Sequence, residues 1–312
     1  MLLEDLHVIL KVAEFHNITA AAASLDMRTA TASAALKRVE KSLGAELFIR
    51  TTRQLRISPA GERYLPQCQQ AMQLLQQARL NVKDELDTVD GELRISISSD
   101  LGRNMVIPWL DEFMESWPDV RVRLNISDSY IDFYRDAVDI ALRYGSPDDA
   151  SLYGFKICTV PLMLCASPGY LAQHGTPQHP QDLTSHNGLF YQLYDSLYDV
   201  WSLGREGKEF KVKLKSDRAA NDGDLIRRWC VAGRGLALKS CLDMGNDLLA
   251  GRVVEVLPEY PLKPTELWMV FPSRQSITQA ARLLRELIRE KCEALLQQMV
   301  AQQILPEKVL QL

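Results

Sequence analysis

The chain has little of what metal, redox and membrane proteins use. Its 312 residues include six cysteines and five histidines. Cys68, Cys158, Cys165, Cys230, Cys241 and Cys292 form no CxxC pair and sit mostly in apolar stretches, which predicts reduced, buried thiols; a redox switch requires two of them to meet in space. His174, His179 and His186 lie in a Pro- and Gly-containing stretch without the tight spacing of zinc ligands. No run approaches the roughly 18 apolar residues of a membrane span. The first residues, MLLEDLHVILK, carry acids and helical periodicity, unlike a secretory or transit signal, so cytoplasmic residence is expected. GxSxG and HExxH are absent, and residues 233–240, GRGLALKS, place Leu238 where a phosphate loop needs glycine before its lysine. Asp100 and Asp222 meeting across a cleft would still suit acid–base chemistry, so an enzyme stays as a rival class that turnover assays decide. Neither cofactor nor metal is expected.

What is present concentrates near the start. Ala22, Leu25, Ala32, Leu36, Val39 and Leu43 recur at helical spacing, while Arg28, Thr29, Ser33, Lys37, Arg38 and Lys41 mark a polar face. Asp26-Met27-Arg28 leaves room only for a sharp corner, which lets a second helix enter a major groove while the first braces it. Leu2, Leu6, Ile9 and Ala13 give an earlier helix with an apolar stripe to pack beneath the pair. Ile18-Thr19 is expected to supply a staple and a capping hydroxyl, and Gly44 the helix stop. Leu47-Phe48-Ile49 then reads as a strand and residues 50–56, RTTRQLR, as a basic wing.

Charge supports a DNA-reading head. Residues 28–63 hold eight bases and three acids, a local +5 on a chain of net −4, so everything else carries −9. A basic head on an acidic body meets phosphate at one end only. Architectural DNA-bending proteins, the second rival class, are small and basic throughout, unlike the acidic remainder of about 200 residues. A body that binds a partner protein instead of a metabolite is a third reading, separable by ligand-dependent thermal shift.

Residues 58–89 read as one long helix. Leu65, Cys68, Met72, Leu75, Val82 and Leu86 fit alternating three- and four-residue steps, interrupted by Arg79, and glutamines fill much of the remainder. The same stripe serves a helix packed on its own body or a dimerising strut; its length between two domains favours the strut.

After Gly91 the pattern becomes α/β. Strands are expected at 92–98, 120–126, 139–145, 159–166, 188–191, 210–214, 235–238 and 266–271. Helices are expected at 105–117, 133–139, from Ser167, 224–232 and 276–298. Repeated β-α-β order builds parallel sheets with sites at strand ends.

These features together resemble the LysR-type transcriptional regulators. The resemblance rests on Leu6 to Phe15, on AAAASLDMRTATASAALKRVEKSLGAELFIRTTRQLRISPAGE, and on the size of the remaining chain. Where that family reads LxxSQPAVSRQIRxLE, this chain has LDMRTATASAALKRVE at 25–40. Arg28 stands at the usual capping serine, Thr29 at the usual glutamine and Ala34 at the usual arginine, so the family's base preferences do not carry over. Arg53 matches the family's wing arginine.

The resemblance implies an N-terminal all-α winged helix-turn-helix with a long linker helix, followed by an α/β, two-lobed, periplasmic-binding-protein-like (type 2) effector domain. The expected segments are a DNA-binding domain over 1–60, a linker and dimerisation helix over 61–90, an effector domain over 91–297 and a tail over 298–312. Lobe 1 takes about 91–161 and 266–297, and lobe 2 about 162–265. Arg28, Thr29, Thr31, Ser33, Lys37, Arg38 and Arg53 would contact double-stranded DNA at an interrupted palindrome. Leu65, Met72, Leu75, Val82 and Leu86 would pair subunits into a homodimer or homotetramer, and RNA polymerase is an implied partner.

A small-molecule effector, a metabolite, would sit between the lobes, where closure changes their angle. Ser98, Ser99 and Asp100 end a strand and begin a helix, so their hydroxyls and free N–H groups favour a carboxylate. Asp100 opposes that by its charge and by capping the helix itself. Asn221 and Asp222 start the facing helix, and Tyr144 would close one wall. Each of these residues serves equally well as an ordinary cap or turn.

Overall fold

The computed structural model describes residues 2–50, 55–84, 89–133, 136–147, 149–205 and 207–311, with their side chains apart from those of 50, 73, 76–84, 275 and 311. The chain divides into two compact units, Met1–Thr88 and Val89–Leu312.

In the first unit, α1 (Leu3–Phe15), α2 (Ile18–Ser24) and α3 (Thr29–Leu43) enclose Ile9, Val12, Ala22, Ala32, Leu36 and Val39. The alanines let the helices approach closely. The cap of α2 is Asn17, not Thr19: its Oδ1 accepts the N–H groups of Thr19 and Ala20 at 2.8 and 3.1 Å. Thr19 already lies inside the helix, where its own N–H is one of those needing a partner. Asp26, in the left-handed region at φ 50°, makes the corner before α3, and Gly44 ends α3 at φ 64°.

Strands β1 (Phe48–Arg50) and β2 (Leu55–Ile57) pair antiparallel as the base of the wing. Residues 51–54, with the Arg53 expectation, fall outside the described residues. Glu40 ties the wing to α3, its Oε1 accepting the N–H of Leu47 at 2.8 Å and of Phe48 at 3.3 Å. Ser58 Oγ accepts the Gly61 N–H at 3.0 Å at the start of α4 (Pro59–Asp84). A side chain at residue 61 would overlap the Leu47 carbonyl, so glycine is required there by close approach.

The second unit opens with β3 (Gly91–Ile97) and a three-residue helical turn, α5 (Ser99–Leu101). Residues Gly102–Val106 are π-helical before α6 (Ile107–Ser116), so the helix expected from Met105 starts earlier and is wider at its beginning. Strands β4 (Val120–Ile126), β5 (Ile140–Tyr144) and β6 (Tyr153–Val160) come after it. No helix forms among the described residues of 133–139, where Ala137 is left-handed at φ 50°. The single strand expected over 159–166 is two, because Pro161 separates β6 from β7 (Leu162–Ala166) and the chain changes sheet there.

Next come α7 (Pro168–His174), β8 (Asn187–Leu193), β9 (Ser196–Leu197) and the hairpin β10 (Val200–Arg205) with β11 (Lys208–Lys213). They are succeeded by β12 (Lys215–Ala220), α8 (Gly223–Val231), β13 (Leu236–Ser240), α9 (Gly245–Leu249), β14 (Val254–Val256), β15 (Thr265–Phe271) and α10 (Gln279–Ala301). The first sheet runs β4-β3-β5-β15-β6, with β3 parallel to both neighbours and β15 antiparallel to both of its own. The second runs β12-β8-β13-β7-β14, with β8 parallel to β12 and β13. We call the parts built on these sheets lobe 1 and lobe 2.

The main core gathers Ile97, Leu142, Phe271, Leu284 and Ile288 and continues into lobe 2 through Ile226, Cys230 and Ala237. The C-terminal residues, for which the sequence carries no pattern, are packed on this core by Leu305 and Val309.

Candidate nucleic-acid interface and effector cleft

On α3, Ala32, Ala35, Leu36 and Val39 are buried, while Arg28, Thr29, Thr31, Ala34, Lys37 and Lys41 are exposed and Ser33 is half-buried. Arg28 occupies the N-cap position without a side-chain capping bond. Arg38, expected on phosphate, pairs with Asp5: its Nε donates to Asp5 Oδ2 at 3.2 Å, and its terminal nitrogen to Oδ1. Asp5 is only 2% exposed. The Arg38 hydrogen bond holds its carboxyl below the ordinary range against the opposing pull of burial. Arg38 therefore ties α3 to α1, while half of its side chain stays exposed on the surface of α3.

Along α4, Leu65 also departs from expectation. It is 6% exposed and belongs, with Cys68, to the head's own core. Met72 is half-buried, whereas Leu74 and Leu75 are 50% and 46% exposed. The Val82 side chain and Leu86 lie outside what is described.

In the second unit, the ends of β3 and β5 lie side by side on the sheet, with β4 beyond β3. The chain leaves β3 toward one side and returns to the other, making the switch point at which α/β sheets bind ligands. Ser98 and Ser99 lie at the end of β3, and Arg143 and Tyr144 end β5.

Lobe 2 closes on this edge through two polar clusters. In the first, the Asp128 carboxylate accepts three donors: the Ser99 N–H at 2.6 Å, the Ser99 hydroxyl at 2.6 Å and the Gly223 N–H of α8 at 2.8 Å. The Gly223 N–H is shared with Ser99 Oγ, also at 2.8 Å. In the second, the Lys239 ammonium contacts Asp100, lies 3.7 Å from Asp243 Oδ2 and donates to the Gly223 carbonyl at 3.1 Å. Tyr144 donates to Asp243 Oδ1 at 2.7 Å, with Ser240 Oγ 2.9 Å away.

Burial pushes the Asp100 carboxyl up to about 7, against the pull of Lys239. Burial also opposes charge on Lys239, but Asp100 and Asp243 outweigh it and hold the ammonium protonated. Burial and Asp243 keep the Tyr144 phenol neutral.

The residues expected from the sequence divide accordingly. Ser99, Asp100 and Tyr144 are brought together with lobe 2. Asp222 caps α8, accepting the Leu225 N–H at 3.0 Å, and pairs with Arg103 of lobe 1 at 2.8 Å. Asn221 is exposed and has no hydrogen bond among the described residues. Ser98 Oγ is buried without a hydrogen-bond partner.

Comparison with known proteins agrees with both units. Residues 3–62 match the bacterial regulatory helix-turn-helix protein, lysR family, and residues 87–293 the LysR substrate binding domain. The chain belongs to the LysR family of transcriptional regulators. This LysR-family chain is 32% identical over 289 residues to the HTH-type transcriptional regulator DmlR of Escherichia coli (strain K12), covering 93% of this chain and 94% of that protein. It is similar to the full-length structure of AphB, the Vibrio cholerae virulence activator, with TM-score 0.58, 28% identity and coverage of 92% and 98% of the two chains. For the structure of CrgA from Neisseria meningitidis the TM-score is 0.59, with 28% identity and coverage of 94% and 98%.

Four residues of the regulator's cleft escaped the sequence reading: Asp128, Arg143, Lys239 and Asp243. Lys239 carried a signal, a lysine directly after the apolar run Leu236-Ala237-Leu238 within one strand. Asp128 lies in a loop after β4 and carried none. The Arg143 guanidinium donates to Ser96 Oγ at 2.8 Å and to the carbonyls of Ser127 and Leu142 at 2.9 and 3.0 Å. No carboxylate among the described residues lies within ion-pair distance of it, and burial lowers its pKa to about 10.

The thiols and imidazoles have structural settings. Cys158 and burial push Cys292 well up, which disfavours the reactive thiolate. His179 caps the 3-10 turn Pro180–Ser185, and His174 and His186 pack on Tyr170. No helix of the described residues is long and apolar enough to cross a membrane.

Proposed function

We propose that paired copies of this regulator bind an interrupted palindrome in double-stranded DNA and that a small metabolite held between the body's lobes controls the outcome. The observation that carries the DNA reading is the exposed face of α3, with Arg28, Thr29, Thr31 and Lys37 opposite a buried apolar face. Thr29 with Arg28 reads base edges; Lys37, Ser33 and the wing's Arg53 contact phosphate or groove walls. Arg38 positions α3 through Asp5. Met72, Leu75, Val82 and Leu86 form the seam between subunits, as dimer or tetramer, and two heads square the selectivity of one. Effector binding alters DNA bending and polymerase contact in the cytoplasm, without catalysis.

Sheared DNA from the source genome, incubated with the purified chain, recovered and sequenced at two salt concentrations, tests this reading. A few fragments sharing a two-fold-symmetric site are expected. Uniform recovery that vanishes as salt rises would replace the regulator with an architectural DNA-binding role.

A further inference from the structure

A cavity of about 1160 Å³ adjoins both passages of the chain between the two sheets. Pro161, between β6 and β7, lines it from the first passage, and Pro258, Pro261 and Pro264, between β14 and β15, from the second. The end of α10 and the tail add Val300, Ile304 and Pro306, and lobe 2 adds Met163 and Glu255. Five prolines of fixed φ hold these walls in place before any ligand arrives, and the space is that of a small-molecule site. Ser99, Asp100, Tyr144, Asp222 and Lys239 take no part in its lining, so the cavity is separate from the effector cleft.

Glu255 is the charge set apart there. Side chains alternate along β14: Val256 enters the core of lobe 2, and Glu255 turns to the other face, where it lines the cavity. It is half-buried and has no hydrogen-bond or ion-pair partner among the described residues; burial alone pushes its carboxyl upward. The other charged groups of the wall differ. Glu259, Lys263, Glu307 and Lys308 are exposed, and Arg205, also exposed, pairs with Glu259 at 2.9 Å. Water and salt screen those groups, so Glu255 sets the preference of the interior, which is for a cation. A partly desolvated carboxylate without a partner costs stability, and a cationic group that reaches it recovers that cost.

We propose that this cavity is a second ligand site for a small organic cation: a primary amine whose ammonium meets Glu255 and whose apolar body lies on Met163, Val300 and Ile304. The site stands whether or not the cleft takes an effector. Because such a ligand touches both passages and the tail at once, its binding tightens the joint between the lobes.

Melting the full chain in hexylamine hydrochloride, sodium hexanoate and sodium chloride at equal ionic strength tests this. Hexylammonium is expected to raise the melting temperature of the body saturably, in the millimolar range, above either other salt. Hydrogen exchange should slow over 257–264 and 300–309 and stay unchanged over 98–100 and 222–225. Glu255→Gln keeps the shape of the wall and removes the charge; it should melt at or above wild type and lose the amine-specific rise. An equal response to the three salts, an amine response retained by Glu255→Gln, or no added protection over 257–264 and 300–309 overturns the proposal. So does a Glu255→Gln chain that melts well below wild type, since the carboxylate then already serves the fold.

Discussion

Lys239, in a strand of lobe 2, lies against Asp100, at the end of a strand of lobe 1, and the two are buried together. Asp243 and the Gly223 carbonyl complete the surroundings of the ammonium. The charges sit where a cleft between lobes would otherwise be open to water.

Lys239→Met is expected to destabilise the body by about 3–5 kcal/mol, because it strands Asp100 and Asp243 in a desolvated place. Without the cation Asp100 moves further above its ordinary value. Its folded pKa then exceeds the unfolded 3.8 by more than the present rise to about 7. The folded variant holds an extra proton across that window, so its stability rises as the pH falls from about 8 toward about 4. Urea titrations at about pH 5 and about pH 8 check the sign; a variant no more stable at the lower pH contradicts it.

Arg38→Ala and Lys37→Ala separate positioning from contact on one helix. Lys37→Ala should leave the head's melting unchanged and reduce the slope of log K against log salt by about 0.9, one phosphate contact. Arg38→Ala should lower the head's melting temperature, since Asp5 loses its partner, and weaken DNA binding through loss of folded head. Hydrogen exchange of α1 and α3 amides distinguishes the two.

Thr29→Ala is expected to relax sequence preference at one position of each half-site, and Arg53→Ala to weaken binding across all sequences. Competition binding on operator and scrambled DNA reads both. Equal losses on every sequence for both substitutions would remove the assigned division of labour.

Leu75→Asp should shift the chain toward monomer in analytical ultracentrifugation, whereas Leu65→Asp should unfold the head first, since Leu65 is internal. Leu305→Ala, at the tail, should cost the body about 2–5 kcal/mol despite its distance from any motif.

The head was legible because its determinants are local. Periodicity, a three-residue corner and Gly44 fix α1 to α3 within a few turns of chain. Where a choice lay between neighbours, as between Asn17 and Thr19, pattern alone missed the better-placed acceptor. Many of the body's strands were visible for the same reason. The expected helix over 133–139 failed at Ala137, whose left-handed backbone no composition rule announces. The cleft was legible by half. Ser99 and Asp100 stand out as a strand end meeting a helix start. Their partners do not: Asp128 and Gly223 are 29 and 124 residues from Ser99, and Lys239 reaches Asp100 from a different sheet. Only the tertiary fold brings such distant groups together. The Arg38–Asp5 pair was not legible, because an arginine on a polar helical face looks the same whether or not a buried aspartate on a neighbouring helix is its partner.

Pro161 has no amide hydrogen, so the passage from β6 to β7 contributes no ladder donor at that residue. A swivel about this point leaves both sheets internally paired. Resistance to lobe rotation then resides in what bridges the two sheets: the apolar core that runs on through Ile226, Cys230 and Ala237, and the carboxylates, ammonium and phenol that meet beside it. Acidity and ionic composition therefore act only on the polar part of the joint, while its apolar part is indifferent to both and each sheet stays paired by its own backbone.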